Sequence, residues 1–189
     1  MKKLSKLFLA LFFAVLVFPL SVKYNVSADE KQAKAAYLYD FNTNTEILAR
    51  NENERLQIAS MTKIMLLNLC YENIESGNLS LEEEIKVSEA ASGMGGSQVF
   101  LESGGVYKVS ELIKSVTVAS ANDASVALAE RMYGSEEECV KAMNKKVSDL
   151  GLKNTQFSNC TGLPKPMQYS SAKDIVKIFC DLIKHKNYF

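Results

Sequence analysis

Apolar and polar positions change period several times along the chain. Ala35-Ala36-Tyr37-Leu38-Tyr39-Asp40 and Glu46-Ile47-Leu48-Ala49-Arg50 are β-rich runs flanking an Asn/Thr cluster, Phe41 to Thr45. Asn and Thr form turns readily, so this stretch predicts a hairpin. From Ile58 to Leu69 the sequence IASMTKIMLLNL is almost continuously apolar and rich in good helix formers. Ser60 stands where an N-cap is favoured and Gly77-Asn78 is a C-cap signal, so a buried helix opened by Ser60 is expected. Ser80 to Glu83 has the form of a capping box, while Ile85-Lys86-Val87 alternates like a short strand. Ser110-Glu111 opens a helix to about Ala119, and a second apolar helix, Ala124 to Met132, follows the polar turn Ser120-Ala121-Asn122-Asp123. Ser135 to Glu138 is another capping box, and its helix ends at Gly151. Thr155 to Asn159 reads as extended, and Gly162 to Pro166 as a loop. Ser170 or Ser171 caps a last helix with Ile175, Ile178, Phe179 and Leu182 on one stripe. His185 is expected in that helix's final turn, where a cation suits the dipole.

The first 28 residues differ from the rest. Lys2, Lys3 and Lys6 precede the apolar run Leu7 to Leu20, and Val26-Ser27-Ala28 follows. That order is a secretory leader, residues 1–28, cleaved before a single domain of residues 29–189; an uncleaved N-terminal anchor is the other reading. Either way the protein leaves the cytoplasm. The whole chain has 22 basic and 22 acidic residues; removing the four lysines of residues 1–28 leaves 18 against 22, net −4. That balance argues against nucleic acid as a partner. The four cysteines form no Cys-x-x-Cys and one histidine accompanies them, which argues against structural zinc. Cys70 and Cys180 fall in apolar helical patterns and read as core.

The chemistry centres on Ser60 and Lys63. Three residues apart on a helix, they face the same side. A serine hydroxyl needs a neighbour to take its proton, and a lysine amine can do so only if burial or positive charge lowers its pKa. The spacing alone is equally served by a helix cap, and Ser170-x-x-Lys173 repeats it in a more polar setting. Ser120-x-Asn122 is polar between two apolar helices, so it is either satisfied structurally or lines a site. The loop Ser92-Gly93-Met94-Gly95-Gly96-Ser97 lacks the Gly-Lys-Ser/Thr of a phosphate loop and is read as a surface loop bordering a cleft. A Ser-His-Asp role for His185 is the weaker alternative.

Several stretches agree with one family. Ala59-Ser60-Met61-Thr62-Lys63-Ile64-Met65, Gly96-Ser97-Gln98-Val99-Phe100-Leu101-Glu102, Ser120-Ala121-Asn122-Asp123-Ala124, Phe157-Ser158-Asn159 with Gly162-Leu163, and Tyr169-Ser170-Ser171-Ala172 occur in a characteristic order. From about Lys34 on, the chain resembles the serine D-alanyl-D-alanine carboxypeptidases, the low-molecular-mass penicillin-binding proteins, whose Ser-x-x-Lys and Ser-x-Asn pairs are shared with β-lactamases. The resemblance implies an α/β (α+β) class and a β-lactamase/transpeptidase-like fold, a helical cluster on an antiparallel sheet. By position, Ser60 becomes the nucleophile, Lys63 its general base, Ser120 a proton relay, and Asn122 a substrate-amide ligand that helps hold Lys63. The implied partners are the peptidoglycan stem pentapeptide and β-lactams that acylate the same serine. No metal or cofactor is implied, and the implied address is the outer face of the cytoplasmic membrane or the cell wall, with association at the membrane surface left open.

Two departures temper the resemblance. The family's Lys-Thr-Gly, which supplies one of two oxyanion donors, does not occur within the 189 residues, and residues 35–50 alone would make a marginal two-stranded ribbon. These residues are therefore read as the front portion of the catalytic domain, inactive or unstable alone. The family's Phe-x-Asn-Pro-His-Gly-Leu is here Phe157-Ser158-Asn159-Cys160-Thr161-Gly162-Leu163. A β-lactamase or endopeptidase on the same scaffold is the alternative enzyme, although no carboxylate motif for fast deacylation follows Asn122; an inactive wall-binding homologue is the non-enzymatic one.

Overall fold

The computed structural model describes residues 33–186 and Tyr188. The expected leader, residues 1–28, lies outside the described residues. The hairpin forms as the pattern predicts: β1 (Ala36–Asp40) pairs antiparallel with β2 (Thr45–Arg50), with an irregularity at Leu38/Tyr39. Asp40 Oδ1 accepts from the Asn42 and Thr43 N–H groups at 2.9 and 3.2 Å, closing the turn through its own side chain.

The centre of the molecule is α1 (Thr62–Glu75), whose residues Met65 to Tyr71 are all buried. A helix apolar on nearly every side must be surrounded. It packs against α4 (Asn122–Tyr133), α5 (Glu136–Asp149) and α6 (Ala172–Leu182). Met65, Leu66, Leu128, Met143, Ile178 and Leu182 meet there, each 0–1% exposed. The helix ends at Ser76, and Gly77 takes φ +77, which favours glycine.

The connections hold some differences. Ser80 to Glu83 forms a turn, not a helix, because β3 (Glu84–Lys86) is drawn into pairing with β4 (Val106–Lys108) and buries Ile85. The short helix α2 (Glu89–Ser92), capped by Ser88, was not expected from the pattern. Next, α3 (Val109–Ala119) leads through a sharp turn at Ser120 into α4. Ser135 caps α5 by accepting from Glu138 N at 3.1 Å, and Gly151 follows it at φ +64, as expected. Ser171 rather than Ser170 caps α6. Among the described residues the strands make two separate antiparallel ribbons. No described helix is long and apolar enough to cross a membrane.

His185 corrects one expectation. It lies beyond α6, its Nδ1 2.8 Å from Glu75 Oε2 and its Nε2 3.1 Å from Asn68 Oδ1. Asn68 in turn donates to Ile178 O at 3.3 Å. The ring thus fastens the end of α6 to α1, and both its nitrogens are occupied by that task.

Candidate active site

Ser60 does not cap α1. It sits in a 3-10 turn, Ala59–Met61, entered by Ala59 at φ +45, and no side chain caps the helix. The turn leaves Ser60 exposed and aims its hydroxyl at Lys63, one helical turn on, with Nζ 3.4 Å from Oγ. Lys63 is 4% exposed, and its amine donates to the Thr161 carbonyl at 2.6 Å. Burial holds its pKa below the ordinary lysine value. Desolvation disfavours the ammonium, so the neutral amine, the form that can accept a proton, gains population.

Ser120 ends α3 in the left-handed region, φ +54 and ψ +37. Its buried Oγ has no hydrogen-bond partner among the described residues. It lines one pocket of about 230 Å3 with Ser60 and Lys63. A buried hydroxyl without a partner costs free energy, and Thr62 Oγ1 is a second such atom among the described residues. Asn122 opens α4 beside it. Its backbone N–H donates to Ser97 O at 2.7 Å and its Nδ2 to Gly95 O at 2.7 Å. The expectation that Asn122 holds Lys63 is not met: the Thr161 carbonyl has that task, and Asn122 secures the glycine-rich loop. Gly96 is required there, since a Cβ would lie 2.8 Å from Asn122 Nδ2 and φ is +80.

The loop is pinned further along by Asp123. This fully buried carboxylate accepts from Val99 N at 3.1 Å, Leu101 N at 3.0 Å and Ala124 N at 2.9 Å, straddling Phe100 at φ +59. Asp123→Ala would strand those donors. We expect a loss of about 1–3 kcal/mol in urea unfolding and weaker β-lactam acylation, with a change under 0.5 kcal/mol refuting the pinning role.

Comparison with known proteins decides the family. A family model described as D-alanyl-D-alanine carboxypeptidase, peptidase S11, matches residues 22–188. The chain belongs to the S11 family. D-alanyl-D-alanine carboxypeptidase DacF of Bacillus subtilis is 47% identical over 156 residues, 82% of this chain and 40% of that protein. The crystal structure of the carboxypeptidase DacD from Francisella tularensis superposes with a TM-score of 0.80 at 34% identity, over 84% of this chain and 38% of that one. Penicillin-binding protein D2 of Listeria monocytogenes, solved in its ampicillin-bound form, matches with a TM-score of 0.71 at 25% identity, over 82% of this chain and 62% of that one. The fold is accordingly the transpeptidase/β-lactamase-like one. The chain spans less than half the length of the curated relatives it matches.

Within this S11 chain, the loop 157–163 contributes what local pattern missed. Thr161 lends its carbonyl to Lys63 across 98 residues of sequence. Gly162 lies so close to the Ala59–Met61 turn that an added Cβ would stand 2.0 Å from Ala59 O and 2.9 Å from Ser60 N. The signal for both was the Asn159-to-Leu163 stretch, legible only as part of the family pattern. The second Ser-x-x-Lys resolves as structural: Ser170 is buried against Thr155 Oγ1 at 2.7 Å, while Lys173 turns away to Glu46 at 3.0 Å.

Proposed function

We propose that the complete gene product is a serine D-alanyl-D-alanine carboxypeptidase, with Ser60 as nucleophile, Lys63 as general base, Ser120 as proton relay and Asn122 as a substrate-amide ligand. The observation that carries the reading is the desolvated Lys63 amine, 3.4 Å from an exposed Ser60 hydroxyl. Lys63 takes the Ser60 proton as Oγ attacks the carbonyl carbon of the penultimate D-alanine of a stem pentapeptide. The tetrahedral intermediate collapses, the C–N bond breaks, and a proton passed through Ser120 to the leaving amine releases terminal D-alanine. Water then attacks the ester with Lys63 again accepting a proton, and Ser60 is regenerated. A β-lactam enters by the same attack on its ring carbonyl.

The relatives' names and the ampicillin-bound neighbour support this substrate class. The basic-apolar start of the chain supports export, to the outer face of the cytoplasmic membrane or the cell wall. Incubating the complete gene product with a muramyl pentapeptide should release one D-alanine per peptide and leave the tetrapeptide. Cleavage of a cross-linked dimer with no action on the pentapeptide would replace this reading with the endopeptidase one.

A further inference from the structure

The loop 157–163 has no helix or strand of its own, yet almost every N–H in it is taken by a side chain. Asn144 Oδ1 accepts from Phe157 N at 2.9 Å, and Gln168 Oε1 from both Ser158 N and Asn159 N at 3.0 Å. At Cys160 the acceptor comes from α5. Glu136 Oε1 takes the Cys160 N–H at 3.0 Å and the Cys160 S–H at 3.3 Å. Burial, reinforced by the Glu136 charge, pushes the thiol pKa well up, so it remains an S–H donor. Glu136 itself stands in the first turn of a helix fixed by its Ser135 cap, a rigid mount for a side chain that orients others.

We propose that Glu136 is a positioning residue for the Lys63 base, holding through Cys160 the turn that presents the Thr161 carbonyl to the amine. The proposal rests on the acyl-transfer reading of Ser60 and Lys63. Its geometry is a short relay. The residue after Cys160 carries the carbonyl 2.6 Å from Lys63 Nζ, and the next, Gly162, lies against the Ala59–Ser60 peptide. A shift at Cys160 therefore moves the base's acceptor and the nucleophile's seat together. The other clamps act from within the loop, from the segment after it, or at its far end at Phe157; among the described residues, Glu136 is the side chain that ties the residue before Thr161 to the helical body.

The test uses the complete gene product and a fluorescent penicillin, with the acylation rate per active site followed against pH. In Glu136→Ala the rate should fall on the order of tenfold to hundredfold, the usual consequence of a small misplacement of a catalytic group. The rising limb should also move to higher pH, because a loosened turn admits water and relieves the burial that lowers the Lys63 pKa. Glu136→Gln keeps an oxygen for both donors and should restore the wild-type rate and limb. If Glu136→Ala does not fold, Glu136→Asp, one methylene shorter, should show the same shift in smaller measure. An unchanged rate and limb overturn the proposal, as does a Gln variant as impaired as the Ala one, or a lower melting temperature with an unmoved pH profile. A wild-type protein that no penicillin acylates would remove the underlying reading as well, whereas the other results remove this proposal alone.

Discussion

Lys63→Ala should lower the rate at which a β-lactam acylates Ser60 by about 10²–10⁴-fold, the range typical of a general base. In the proposed reaction the amine receives the Ser60 proton; it lies 3.4 Å from that hydroxyl, and burial keeps it from holding its own proton as firmly as an exposed lysine. The sign of the pH dependence follows. Only the neutral amine accepts, so acylation should rise with pH through the Lys63 pKa and level off, with that limb below the ordinary lysine value of 10.5. Lys63→Arg keeps the charge and should be as inactive as alanine, because a guanidinium does not deprotonate in this range. Stopped-flow acylation across pH checks both. An alanine variant within threefold of wild type would assign proton acceptance to another group.

Gly162→Ala should be the most damaging alanine substitution among the described glycines. A Cβ there would lie 2.0 Å from Ala59 O and 2.4 Å from Ala59 C, and both atoms are backbone. The clash cannot be relieved by turning a side chain. The residue also holds φ +87, costly for any residue with a Cβ. Either residues 157–163 leave the Ala59–Met61 turn, or the turn moves with them. We expect a loss on the order of 3 kcal/mol or more, visible as a lower thermal midpoint, with acylation reduced even in the folded fraction. Gly77→Ala is a matched control: its φ is also positive, but a Cβ there would meet nothing within 4 Å, so it should lower stability without touching Ser60. Equal behaviour of the two variants would show that backbone strain, not contact with Ala59, limits position 162.

What the amino-acid pattern carried, and what it could not, divides by sequence distance. The β1–β2 hairpin, the Ser135 cap and the Gly151 stop are written within a few residues of where they act, and each occurs as expected. Ser60 and Lys63 share a face because three residues make nearly one helical turn. Ser60 lies in a 3-10 turn rather than at an N-cap, packed so closely by Gly162 that only a residue without a Cβ fits beside Ala59, a contact about a hundred residues away in sequence. Thr161 could not be recognised from pattern because its contribution is a backbone carbonyl, which any residue supplies, 98 residues from Lys63. His185 falls outside the last helix for a similar reason: its partners, Glu75 and Asn68, lie on a helix more than a hundred residues earlier. Ser120 and Asn122 stood out as polar residues between two apolar helices; the Asn122 amide is satisfied by Gly95 O, and the Ser120 hydroxyl is left buried and unpaired among the described residues.

The proposed chemistry requires the Ser60 hydroxyl to form an ester. Peptide mapping by mass spectrometry of the complete gene product after penicillin treatment reads that bond directly. The mass of the opened β-lactam should appear on the peptide containing Ser60, and should vanish in Ser60→Ala while Ser170→Ala leaves it unchanged. An adduct on another residue, or none on a folded protein, would contradict it.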